Sequence, residues 1–128
     1  MTAPHLFRVI LPVSDIEAAA SFYARLLEMS GTRVSGGRHY FECGPTILAC
    51  FDALADGDPE PVDPNPQYIY FGVDDLDAAH KRAREAGCGE LTEIEVRPWG
   101  ERSFYARDPF GNPICFVNSQ TVFSGLGA

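Results

Sequence analysis

One stretch of this chain is written twice. Val13-Ser14-Asp15-Ile16-Glu17-Ala18-Ala19 returns sixty residues later as Val73-Asp74-Asp75-Leu76-Asp77-Ala78-Ala79, with matching residue types everywhere except Ser14/Asp74. The apolar runs that precede the two copies align as well, and both halves end in a hairpin pattern. A repeat that carries strand, cap and helix at one offset marks two copies of one supersecondary unit. Neither copy can bury its sheet alone, because one helix covers only one face. The expectation is an α+β domain of two βαβββ-type modules, whose curved mixed sheet surrounds a concave cavity with the helices outside. Module 1 spans about 6–53, an acidic Pro-rich connector 54–67, module 2 about 68–118, and a C-terminal tail 119–128. A concavity of this kind suits a small ligand.

The local signals fit that plan. Leu6 to Val13 is apolar and β-branched on both faces and reads as a buried strand. Ser14 with Glu17 three residues on forms a capping-box pattern. Ile16, Ala20, Tyr23 and Leu27 follow at helical spacing, with Gly31 as the stop. Beyond Gly36-Gly37, His39 to Cys43 and Thr46 to Phe51 form a hairpin pattern around Gly44-Pro45. Leu54 to Gln67 holds Pro59, Pro61, Pro64 and Pro66 and reads as an exposed connector. The second half opens with the strand Tyr68 to Val73. Asp75 then caps a helix with Leu76, Ala79, Ala83 and Ala86 on one face, stopped by Gly87. Strands at Leu91 to Val96, Arg102 to Arg107 and Pro113 to Val117 follow, the last two joined by the turn Asp108 to Asn112.

Composition narrows the partners. At 128 residues the chain is long enough to bury roughly two thirds of its unfolded surface without a metal or disulfide. The net charge of −8, with no run of Lys and Arg, argues against nucleic acid and anionic membranes. Cys43, Cys50, Cys88 and Cys115 show no CxxC or framework spacing, and the opening residues carry no signal-peptide pattern. Reduced thiols and a cytoplasmic location are expected. No Ser-His-Asp constellation, P-loop or dinucleotide fingerprint is present.

Three stretches resemble the glyoxalase/bleomycin-resistance (vicinal oxygen chelate) superfamily. These are the two strand-cap-helix segments and the C-terminal Pro98-Trp99-Gly100 followed by Arg107-Asp108-Pro109-Phe110-Gly111-Asn112-Pro113-Ile114. The last is most similar to bleomycin-resistance and glyoxalase-like members. The resemblance implies the fold but not one function, because the superfamily includes isomerases, dioxygenases and antibiotic-sequestering binders. In its enzymatic members, side chains on the first and last strand of each module hold a divalent metal. The matching positions here are Arg8, Tyr68, Cys115 and, in module 1, Leu48 or Cys50. Arg8 cannot shed its proton to become a ligand, and Tyr68 would have to ligate as phenolate. His5, three residues before Arg8, falls on the opposite strand face. His39 and Glu42 differ by three and would not share a face, His80 sits on a charged helical stretch, and Cys50 with Cys115 would lack a third donor. No metal and no cofactor are therefore expected.

Arg8, on a strand face read as buried, requires an anionic partner, either an internal Asp or Glu or a ligand carboxylate or phosphate. Tyr68 and Tyr70 share a face and read either as core tyrosines or as a stacking surface. Trp99, in a rigid Pro-Trp-Gly turn, either caps the core or walls a ligand groove. Cys115 and Cys50 are expected as small core hydrophobes. The resulting expectation is a metal-independent protein that binds an aromatic or amphipathic small molecule through Arg8, Tyr68, Tyr70, Trp99, Tyr105 and Cys115. Antibiotic sequestration is the analogue that the resemblance supplies, and a homodimer its usual assembly. Two alternatives stay open: a metal-dependent lyase/isomerase or dioxygenase, and a metal-free enzyme in which Arg8 stabilises an anionic intermediate.

Overall fold

The structure is a computed structural model that describes residues 3–125. The chain divides into two compact units, Met1–Asn65 and Pro66–Ala128. Each builds one βαβββ module with its own four-stranded sheet.

In the first unit the elements are β1 (Arg8–Pro12), α1 (Ile16–Leu27), β2 (Thr32–Ser35), β3 (Arg38–Cys43) and β4 (Thr46–Phe51). The sheet order is β1-β4-β3-β2, so the first and last strands lie side by side and parallel. Helix α1 supplies the crossover and buries Ile16, Ala19, Phe22, Tyr23 and Leu26. Against them lie Leu11, Phe41, Leu48 and Cys50, all essentially without solvent contact.

Three local expectations are corrected here. The N-cap is Asp15 rather than Ser14: its carboxylate accepts from the Ala18 amide at 3.1 Å. Glu17 does not close a capping box but takes Arg33 in a bidentate pair. The helix ends at Leu27, with Glu28 in the left-handed region, before Gly31 is reached. Gly31 instead allows a close approach of backbone to backbone. A Cβ there would lie 2.7 Å from the Tyr40 carbonyl oxygen, so only glycine lets this loop pack on β3. Strand β2 carries no apolar signal of its own, and no sequence pattern marks it.

The second unit repeats the plan with β5 (Ile69–Val73), α2 (Leu76–Ala86), β6 (Glu95–Val96), β7 (Arg102–Arg107) and β8 (Pro113–Asn118), ordered β5-β8-β7-β6. Asp75 caps α2 as expected, accepting from the Ala78 amide, and Gly87 ends it at φ 84°. Phe71, Phe104 and Phe116 form a run of stacked rings beneath the helix, with centroids 4.9 and 5.2 Å apart. His80, read from sequence as part of a charged stretch, is buried. Its ring meets Phe104 edge-on, and Nε2–H donates to the Thr92 carbonyl at 2.9 Å. The expected strand from Leu91 shrinks to Glu95–Val96: the Thr92 amide still donates to the Tyr105 carbonyl, but the Tyr105 amide donates to the Thr92 hydroxyl, the Thr92 carbonyl being taken by His80. In the final hairpin, Asp108 accepts from the amides of Phe110 and Asn112, as turn chemistry predicts.

A short 3₁₀ turn, Ser119–Thr121, begins the C-terminal tail, whose last residues, 126–128, lie outside the described residues. Among the described residues no helix is long and apolar enough to cross a membrane.

Candidate functional site

Strand alternation gives each sheet one helix-covered face and one opposite face. In the second unit the opposite face carries Tyr68, Tyr70 and Gly72 from β5 and the residue that precedes it, Cys115 and Val117 from β8, and Ser103 and Tyr105 from β7. Tyr68 meets the Tyr105 ring edge-on at 4.9 Å, and the Arg97 guanidinium lies 4.6 Å above the Tyr105 ring. Arg97 is itself held, donating from Nε to the Ser103 hydroxyl at 2.9 Å and pairing with Glu95. Burial, then the neighbouring Tyr105, Cys115 and Glu101, holds the Tyr70 phenol above its usual range.

Beside this aromatic patch runs a groove of about 630 Å³. Tyr70, Trp99, Val117, Val122 and Phe123 wall it, and Glu101 is its one charged lining residue. Trp99 sits in a tight turn closed by the Arg97 amide donating to the Glu101 carbonyl, with Gly100 at φ 96°. The indole is half exposed, and its Nε1–H donates to Glu101 Oε1 at 2.8 Å. Of the residues expected to bind ligand, Tyr70 and Trp99 line this groove. Tyr68, Tyr105 and Cys115 form the adjoining patch. Sequence reasoning misses Glu101, Val122 and Phe123. The tail has no periodic pattern, so nothing local tells that it folds back along β7.

Arg8 lies in the first unit, and the expectation of a buried guanidinium with an internal carboxylate is corrected. Arg8 is exposed, its guanidinium carbon resting 5.0 Å from the Phe7 ring centre and 5.5 Å from that of Tyr40. Two aromatic faces stabilise the cation where a buried carboxylate was expected. Arg8 shares its sheet face with Ile10, Tyr40 and Ala49. Leu48 and Cys50, the two candidates for the last-strand ligand of module 1, both point to the helix-covered face; Cys50 pairs in register with buried Leu11 and His39.

A scan against family models matches residues 5–116 to the Glyoxalase/Bleomycin resistance protein/Dioxygenase superfamily. The chain belongs to that superfamily. Among solved members of the glyoxalase/bleomycin-resistance fold, lactoylglutathione lyase from Agrobacterium tumefaciens is similar at 21% identity and a TM-score of 0.72, over 94% of this chain and 97% of that one. A superfamily member from Sphaerobacter thermophilus is similar at 25% identity and a TM-score of 0.68, over 91% and 98%. An uncharacterized protein of Mycobacterium bovis is 37% identical over 69 residues, which cover 49% of this chain and 45% of the relative. The match thus spans less than half of that curated relative.

The metal that the superfamily's enzymes hold does not fit the residues present. The four corresponding positions offer a permanent cation at Arg8, a phenol at Tyr68, the Cys115 thiol and, on β4 of module 1, no donor on the open face, where Ala49 stands in register with Ile10. Glu42 reaches that face from β3, across Ile47 from Arg8. Burial pushes the Cys115 thiol up to about 11, so in the metal-free chain it is protonated at neutral pH. Among the described residues no three His, Cys, Asp or Glu side chains gather.

Proposed function

We propose that this superfamily member is a metal-independent binding protein that captures an aromatic or amphipathic small molecule, with sequestration of an antibiotic-like compound as its nearest role. The observation that carries the reading is the groove. A space of about 630 Å³ falls within the range of small-ligand sites, and apolar walls with one fixed polar group are the usual composition of such sites. Tyr70 and Trp99 each offer a flat apolar surface and a polar tip, suited to a ring carrying a polar substituent. Capture by mass action breaks no bond, so it needs no metal and no nucleophile. The excess of acidic residues favours a cationic over an anionic ligand.

Calorimetric titration with a naphthylmethylammonium salt, followed in parallel by the emission of the only tryptophan, tests this. Saturable binding that alters the emission is expected. Trp99→Phe should remove the optical signal, and Tyr70→Ala should weaken binding by about 1–3 kcal/mol, the range for losing a buried aromatic anchor. Absence of saturable heat, or full affinity in Tyr70→Ala, would overturn the reading.

A further inference from the structure

Glu101 uses both carboxylate oxygens on the chain itself. Oε1 accepts from the Trp99 indole at 2.8 Å, two residues away, and Oε2 accepts from the Phe123 amide at 2.8 Å, across twenty-two residues. The same groove has Trp99 on one wall and Val122 with Phe123 on another. One carboxylate therefore joins two walls that are remote in sequence.

The tail is led to this point by further bonds. The Asn118 side chain accepts from the Gln120 amide, the Thr121 hydroxyl donates to the Asn118 carbonyl, and that hydroxyl accepts from the Arg102 amide at 3.0 Å. Arg102 and Glu101 are neighbours, so the tail is fixed to the start of β7 at two consecutive residues. Val122 and Phe123 are both more than half exposed, so their own burial adds little to these anchors.

We propose that Glu101 is a positioning residue that clasps the C-terminal tail to the Trp99 turn and so sets the width of the groove. The inference rests on the groove being the ligand site, but the clasp is readable without ligand. Its chemistry demands two acceptor oxygens at full glutamate length. Glu101→Gln keeps the length but leaves one acceptor, and Glu101→Asp keeps the charge but loses the reach.

The experiment is ¹⁵N NMR of the ligand-free chain, followed by titration with the naphthylmethylammonium salt. In the parent chain the Phe123 amide should be protected from hydrogen exchange, and the single indole N–H should resonate at a hydrogen-bonded position. Glu101→Asp should lose the Phe123 protection, and Glu101→Gln should lose either that protection or the hydrogen-bonded indole position, while the amides of β7 and β8 stay protected in both variants. Both should bind the probe about tenfold more weakly, the loss expected for one hydrogen bond to a charged group. Protection retained in Glu101→Asp would reduce Glu101 to a charge, and protection and indole position both retained in Glu101→Gln would reduce it to packing; either overturns the clasp. Failure of the parent chain to bind the probe would overturn the ligand-site reading instead, and the ligand-free spectra would still decide the clasp.

Discussion

Cys115 lies directly across from Tyr70 in the parallel β5–β8 pair and from Tyr105 in the antiparallel β7–β8 pair, so a tyrosine flanks the thiol on each side. The side chain has no solvent contact. Burial raises its pKa from 9.0 to about 11, against a smaller opposing pull from the Ser103 hydrogen bond. At neutral pH it stays protonated, and alkylation by iodoacetamide should run at least about a hundredfold slower than for a free cysteine. Mass spectrometric labelling of the folded chain checks this. Rapid labelling of Cys115 ahead of Cys43 would contradict it.

The same shift makes stability depend on alkaline pH. A thiol whose folded pKa lies above the ordinary value stabilises the fold fully below about 9, and that contribution disappears as the pH rises through about 11. Cys88 is also pushed up to about 11 by burial and by the nearby Asp108. Urea melts should lose stability between about pH 9 and about pH 11, and Cys115→Ala should reduce that slope by up to about 2–3 kcal/mol over the interval. A slope unchanged in the variant would contradict the buried thiol.

The two helix caps make a matched pair. Asp15→Ala and Asp75→Ala should each cost about 1 kcal/mol in chemical denaturation, because each removes an acceptor for an amide three residues on. Ser14→Ala should leave stability unchanged. A loss in Ser14→Ala equal to that in Asp15→Ala would restore the capping box suggested by the sequence.

Metal content separates the metal-independent readings from a metal-dependent enzyme. Protein purified without chelator should carry no stoichiometric Zn, Ni, Fe or Mn by elemental analysis, and added zinc should leave the thermal midpoint unchanged. The Arg8 guanidinium carries a permanent charge and has no lone pair to offer a metal. One bound metal per chain, lost in Cys115→Ser, would place a metal-dependent lyase or dioxygenase first.

A homodimer is expected in solution. β1 and β2 are the outer strands of one sheet and β5 and β6 of the other, and free edges invite pairing. Leu6 and Phe7, just ahead of β1, are both more than half exposed. Sedimentation velocity at micromolar concentration should give twice the chain mass. A single species at the monomer mass would exclude the dimer.

What the sequence determined by itself is what short-range chemistry decides. The repeat set the module plan. Asp75 with Gly87 bounded one helix, Gly44-Pro45 placed a hairpin, and Asp108 to Asn112 folded as a turn, because caps and turns are settled by residues within one turn of each other. Direction and exposure were settled elsewhere. Arg8 reads as buried because its strand is apolar throughout, yet which face of a strand meets solvent depends on where the helix packs. A shift of one pleat separates Cys50, beneath α1, from Ala49 on the opposite face, and no residue near them encodes that register. His80 became a core residue only when Phe104 and the Thr92 carbonyl arrived from other parts of the chain. The Glu101 bond to Phe123 is the extreme case: two groups twenty-two residues apart meet because the sheet holds them together, and only the tertiary structure brings them within reach.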